Sequence, residues 1–152
     1  MQLDAIDRRI LSALQRDGRL SNIDLAKEAG LSPSPCLRRV RLLEEAGLIA
    51  GYVALLDAER LGLGMSVFVR VWLDGQDEET VQRFIERVQP LDHVVECHLM
   101  AGDCDFLLRV VAESLEAYRR FQAQHLARIA GVRSLKTDIP MQRVKMTTAL
   151  PL

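Results

Sequence analysis

Long apolar runs are missing from this 152-residue chain. No stretch approaches the roughly 18 consecutive apolar residues of a membrane-spanning helix, so no membrane partner is expected. Its first residues, Met1-Gln2-Leu3-Asp4, lack the basic start and apolar stretch of a secretory leader. Cysteine is scarce: Cys36, Cys97 and Cys104 form no CxxC pair, and their odd number points to reduced thiols in the cytoplasm. His93, His98 and His125 are too scattered to suggest a metal site, and no motif asks for a cofactor. Neither sign of charge dominates, since 20 Lys plus Arg face 21 Asp plus Glu for a net −1. That balance excludes a generic polycation, so nucleic-acid contact must come from local clustering, and it favours self-association. Catalytic groupings are absent too: there is no Ser/His/Asp spacing and no glycine phosphate loop, and Asp103 and Asp105 lack a paired base. No enzyme is expected. The 49% hydrophobic content excludes intrinsic disorder, and a chain of this length can bury roughly 70% of its unfolded surface without staples.

The first 50 residues read as three short helices. Ile6, Ile10, Ala13 and Leu14 follow helical spacing, with Asp7, Arg8, Gln15 and Arg16 on the other face and Asp17-Gly18 as the stop. Ser21 caps a second helix, with Asp24 answering from its third position; Leu25, Ala26 and Ala29 form the apolar side and Gly30 ends it. Ser32-Pro33 opens a third helix, with Ser32 as cap and Pro33 at the first position. It runs to about Ala46 and closes on Gly47. Residues 48–56 read as extended chain, followed by a helical turn and a glycine-rich break to Gly64, where the domain boundary is expected.

The period then changes. Met65, Val67, Val69, Val71 and Leu73 alternate along one face of a strand. Asp77 to Gln89 is helical, with Val81, Phe84, Ile85 and Val88 as its stripe. Val94–Met100 and Phe106–Val111 are strands joined by a tight Ala101-Gly102-Asp103-Cys104 turn. Ser114 to Ile129 is helical with Leu115, Tyr118, Phe121, Leu126 and Ile129 on one side, and Val132 to Lys145 holds one or two more strands. The fold class is therefore α+β, with a ferredoxin-like βαββαβ order in the second half. Such a sheet keeps one face open, and Phe68, Trp72 or Leu107 there invites a second subunit.

Two helices separated by Gly30-Leu31-Ser32 have the layout of a helix-turn-helix. On the third helix, Cys36, Val40, Leu43 and Gly47 share one side, while Ser34, Arg38, Arg41 and Glu45 gather on the opposite one. A helix in the major groove needs such an outward stripe, with short donors early and cations further along. Arg38, Arg39 and Arg41 put three cations within reach of adjacent phosphates. The Pro-x-Pro opening exposes a first turn where backbone donors, Ser32 and Ser34 can meet a phosphate. An ordinary solvated face, with Arg41 paired to Glu44 or Glu45, is the alternative. Cys36 reads as a small core residue.

The runs Ala26 to Val40, Leu43 to Ile49 and Ile6 to Leu11 resemble the leucine-responsive regulator family (Lrp/AsnC, the feast/famine regulators), and Glu96 to Leu108 is similar to that family's effector-domain motif. The likeness covers essentially the whole chain in order. It implies a winged helix-turn-helix over 1–50, a connecting strand and linker over 51–64, and a ferredoxin-like ligand-binding and oligomerisation domain over 65–152. It also implies double-stranded DNA as partner, and dimers assembling into larger closed rings, commonly octamers. Ser32, Ser34, Pro35, Arg38, Arg39 and Arg41 match its recognition-helix positions. The loop from Met100 to Asp105, with Leu99 before it, matches the effector loop, and Thr137 to Ile139 matches the segment that helps to line the pocket.

An amino-acid effector suits this loop chemically. Its carboxylate needs backbone N–H donors, which Ala101, Gly102 and Asp103 can present. Its ammonium needs an anion, which Asp103 or Asp105 can supply. The apolar Leu99, Met100 and Ile139 point to a branched or sulfur-containing side chain. The expected function is a DNA-binding transcriptional regulator answering to such an effector. The alternatives are an amino-acid sensor acting through protein partners and a DNA-organising protein without effector.

Overall fold

Asp4 starts the first helix, α1 (Ala5–Arg16), by accepting the backbone N–H groups of Ile6 and Asp7 on its carboxylate, while the Asp7 carboxylate returns to the Asp4 N–H. The computed structural model describes residues 2–152 and divides them into two bodies, residues up to 55 together with 144–152, and residues 56–143. In the first body α2 (Asn22–Ala29) begins at Ser21, whose hydroxyl accepts the Asp24 N–H, and ends on Gly30 at φ 72°, a left-handed turn that glycine adopts without strain. The third helix, α3 (Pro33–Glu45), follows at once. Ile10, Ala13, Leu25, Ala26, Ala29, Cys36 and Leu43 close the core between the three helices.

Several expectations change here. Asp7 is not on the solvent side of α1; it is 4% exposed, because its carboxylate is needed at the helix start. Residues 48–56, expected as extended chain, begin with a bend in which the Leu48 and Ile49 N–H groups both meet the Leu43 carbonyl, and among the described residues 50–56 form no strand. Residues 144–152 group by contact with the first body. There the Gln15 amide donates to the Leu150 carbonyl at 3.2 Å and accepts the Leu150 N–H at 2.5 Å.

The second body is one four-stranded sheet. β1 (Met65–Leu73), β2 (Val94–Leu99), β3 (Phe106–Ala112) and β4 (Val132–Asp138) stand in the order β2-β3-β1-β4, with every neighbouring pair antiparallel. That is the strand order of the ferredoxin-like arrangement. Between them run α4 (Glu78–Val88) and α5 (Leu115–Gln124). Strict alternation in β1 places Val67, Val69, Val71 and Leu73 under both helices, against Phe84, Val88, Tyr118 and Phe121. The other face of β1 presents Phe68, Arg70 and Trp72.

Two boundaries move. The helix expected over Ser114–Ile129 stops at Gln124 and gives way to a 3₁₀ turn, Leu126–Arg128. An unbroken α-helix would turn Leu126 about 140° away from Phe121. The break at His125 instead brings Leu126 and Ile129 into the core, while Leu115, expected on the apolar side, is exposed. Only one strand follows, and Pro140, which has no N–H, comes two residues after its end. Among the described residues no helix is long and apolar enough to cross a membrane, and no cluster of His, Cys, Asp or Glu could hold a metal.

Candidate nucleic-acid interface and ligand loop

The outward side of α3 takes its form from its first turn. Pro33 and Pro35 occupy positions without a backbone donor, and the Cys36 N–H is taken by the Ser32 carbonyl at 3.2 Å. Ser32 therefore sits at the cap position without making a side-chain cap bond, a departure from its expected role. The N–H that such a hydroxyl usually takes belongs to the third helical residue, which here is Pro35. Ser32, Ser34 and Pro35 are all exposed, and Ser34 supplies the one backbone donor among the three residues that open the helix. The Asn22 amide donates to the Pro33 carbonyl at 2.8 Å and fixes this turn to α2.

The three arginines divide. Arg38 and Arg41 are exposed and, among the described residues, make no ion pair; the alternative pairing of Arg41 with Glu44 or Glu45 does not form, and Glu44 instead accepts the Tyr52 hydroxyl at 3.0 Å. Arg39 turns back. Its Nη1 donates to Asp4 Oδ2 and to Asp7 Oδ1, each at 2.7 Å. The structure thus leaves Ser32, Ser34, Pro35, Arg38 and Arg41 exposed, with Ser34, Arg38 and Arg41 on one helix face, and sets Arg39 apart from that face. Cys36 is fully buried, and burial pushes its thiol above the usual range, as a core residue requires.

In the sheet body, β2 and β3 continue one bond beyond their ends, where the Met100 N–H meets the Asp105 carbonyl at 2.9 Å. Ala101 to Cys104 form the turn between them. Ala101, Gly102 and Asp103 are exposed, as are Leu99, Met100 and Ile139. The Asp103 side chain is 83% exposed, 3.9 Å from Arg70 Nη1, and its carbonyl accepts the Trp72 indole N–H at 2.6 Å. Gly102 has open space where a side chain would stand.

Asp105 does something other than expected. It is 9% exposed, and its carboxylate accepts the Leu73 N–H at 2.7 Å and the Gln76 amide at 2.8 Å, fastening the loop to the end of β1. Each oxygen holds one bond to the fold, and the residue is buried, so Asp105 serves the loop's structure rather than standing open to a ligand. Thr137 is also committed: opposite Val69 on the helix-covered face, its hydroxyl bonds Tyr118 on α5. β4 lies across β1 from β2 and β3, and Arg70 on β1 stands between the two segments, holding Asp138 at 2.7 Å and lying 3.9 Å from Asp103.

Sequence reading missed Arg70. On the open face its Nε and Nη2 hold Asp138 at 2.7 and 3.0 Å, and the guanidinium keeps that carboxyl below its ordinary range. Its place on the uncovered face of β1 was readable from alternation, whereas its partner depended on the β1–β4 register.

The model of the family described as "Lrp/AsnC ligand binding domain" matches residues 66–150, and that described as "Winged helix-turn-helix DNA-binding" matches residues 3–50. The chain is 44% identical over 148 residues to the leucine-responsive regulatory protein of Escherichia coli K12, covering 97% of this chain and 90% of that protein. A transcriptional regulator of Neisseria meningitidis, solved as a complex with L-Met, superposes with a TM-score of 0.95 at 35% identity, over 99% of this chain and 97% of the other. An AsnC family regulator of Agrobacterium tumefaciens gives 0.93 at 41% identity, over 98% and 97%.

Proposed function

The chain belongs to the Lrp/AsnC family of DNA-binding transcriptional regulators, and from that premise we propose that α3 is its reading helix, with Ser32, Ser34, Pro35, Arg38 and Arg41 facing double-stranded DNA in the cytoplasm. One observation carries this reading: among the described residues Arg38 and Arg41 stand exposed without an ion pair, beside two exposed serines at a proline-opened helix start. Unpaired guanidinium groups can meet phosphates or the acceptor edge of guanine without first giving up a carboxylate. Two such helices in a dimer address half-sites about 34 Å apart, one helical turn.

The effector is a free amino acid held at the Leu99 to Asp103 loop. Backbone N–H groups of Ala101, Gly102 and Asp103 meet its carboxylate, and the exposed Asp103 carboxylate takes its ammonium. The regulator of N. meningitidis solved with L-Met supports this ligand class, and the exposed Leu99 and Met100 suit an apolar side chain. Thr137 and Ile139 belong to this pocket through a neighbouring copy, which fits dimers that close into an octamer. An effector acts only through its difference in affinity between the assembly or DNA-bound states.

A gel-shift titration on the DNA upstream of its own gene tests the reading. Arg38→Ala weakens specific binding by about 1–3 kcal/mol where Arg38 reads a base; unchanged affinity removes Arg38 from the face. Repeating the titration with each amino acid, while oligomer size is recorded, identifies the effector.

A further inference from the structure

Resting on the assignment of α3 as the reading helix, we infer that Arg39 is a positioning residue that sets the seating of α3 on α1 and makes no contact with DNA. In sequence Arg38, Arg39 and Arg41 look interchangeable. On the helix they are not: relative to the buried Cys36, Arg39 lies about 60° away, whereas Arg38 and Arg41 lie about 160° and 140° away. Arg39 therefore leaves α3 at the border of its buried stripe.

What it reaches is already fixed. Asp4 uses Oδ1 to accept the N–H groups of Ile6 and Asp7 at 2.8 Å each, and Asp7 uses Oδ2 to accept the Asp4 N–H at 3.2 Å. The remaining oxygen of each carboxylate, Asp4 Oδ2 and Asp7 Oδ1, takes one bond from Arg39 Nη1. One nitrogen thus ties α3 to the two residues that start α1, and neither acceptor can shift without disturbing that helix start. Asp7 is almost wholly buried. A buried carboxylate without its cation is strongly disfavoured, so Arg39 cannot be released to a phosphate without cost. α3 packs mainly on α2 and only slightly on α1, so this charged link adds a directional tie between α3 and α1 to the apolar core that they share. A small rotation of α3 would carry Arg38 and Arg41 together away from their base edges and phosphates.

The test uses the full-length protein, titrated at several salt concentrations on the DNA upstream of its own gene and on an unrelated duplex. Arg38→Ala and Arg41→Ala each flatten the slope of log affinity against log salt by about 1, as lost phosphate contacts do. Arg39→Ala leaves that slope unchanged but narrows the ratio of specific to non-specific affinity by about tenfold, the scale of one misread base pair. Arg39→Lys restores the ratio, because one ammonium carries three donors and can meet both carboxylates. Asp7→Asn, which keeps the shape and adds no cation, narrows the ratio as Arg39→Ala does, and it covers the case in which Arg39→Ala fails to fold. The inference is overturned by a slope that flattens in Arg39→Ala, by an unchanged ratio, or by tighter binding in Asp7→Asn. If Arg38→Ala and Arg41→Ala also leave the slope unchanged, α3 is not the DNA face and both readings fall together.

Discussion

In the helical body, the residues proposed to meet DNA all lie between Ser32 and Arg41, on one helix and its cap; in the sheet body, those expected to hold an effector run from Leu99 to Ile139, over two strands separated by β1. The difference lies in how each surface is made. A helix presents its face through local spacing, so its neighbours in sequence are neighbours in space. A sheet surface depends on strand order and register, which come from contacts distant in sequence. The face of the helical body is therefore local in sequence, while that of the sheet body is assembled from segments about 40 residues apart.

The two carboxylates of the loop sharpen that contrast most. Asp105→Ala removes the acceptor of the Leu73 N–H and of the Gln76 amide in a buried place, and is expected to destabilise the sheet body by about 3 kcal/mol. Asp103→Ala, at an exposed position, is expected to stay within about 0.5 kcal/mol of the parent and to lower amino-acid affinity instead. Urea unfolding followed by the fluorescence of Trp72, the one tryptophan of the chain, reads this body directly. An Asp105→Ala protein of full stability that has lost its ligand would return Asp105 to the binding site and break the contrast.

Acid acts on both bodies through carboxylates held below their ordinary value. In the sheet body Arg70 depresses Asp138 from its usual 3.8. In the helical body the Asp7 N–H, with Arg39 after it, depresses Asp4. For a carboxyl whose folded value is depressed, the stabilisation is present above the unfolded value and is lost as pH falls through the folded one. Unfolding midpoints of the parent and of Asp138→Asn are therefore expected to differ at neutral pH and to converge below about pH 3.8. Midpoints that already coincide at neutral pH would show that the Arg70–Asp138 pair contributes nothing measurable to the fold.

Much of this architecture was readable beforehand, for physical reasons. Glycine after a periodic run marked the ends of α2 and α3, and period-2 burial marked β1, because both patterns are local. The order of elements then allowed one familiar sheet. What stayed hidden depended on partners far along the chain. Asp7 looked like a solvent residue because, although its capping bond to Asp4 is local, its cation Arg39 stands 32 residues later. Asp105 looked like a ligand residue because its partners, Leu73 and Gln76, lie 32 and 29 residues away. The break in α5 came from the demand that Leu126 face the core, which overrode a continuous helical pattern.

The smallest effect separates the two serines that look alike as caps. Ser21 accepts the Asp24 N–H at 3.1 Å and donates to the Asp24 carboxylate at 2.6 Å, so Ser21→Ala is expected to cost about 1 kcal/mol of stability. Ser32 holds the same position before α3, but proline removes the third-residue N–H and its hydroxyl makes no cap bond. Ser32→Ala is expected to cost less than about 0.3 kcal/mol, well under an ordinary cap, while weakening DNA binding through the loss of a hydroxyl from the proposed face. Thermal unfolding of the two variants, compared with their gel shifts, decides the matter. A Ser32→Ala protein that loses stability as Ser21→Ala does, with DNA affinity intact, would make Ser32 a cap after all and remove the serine from the reading surface.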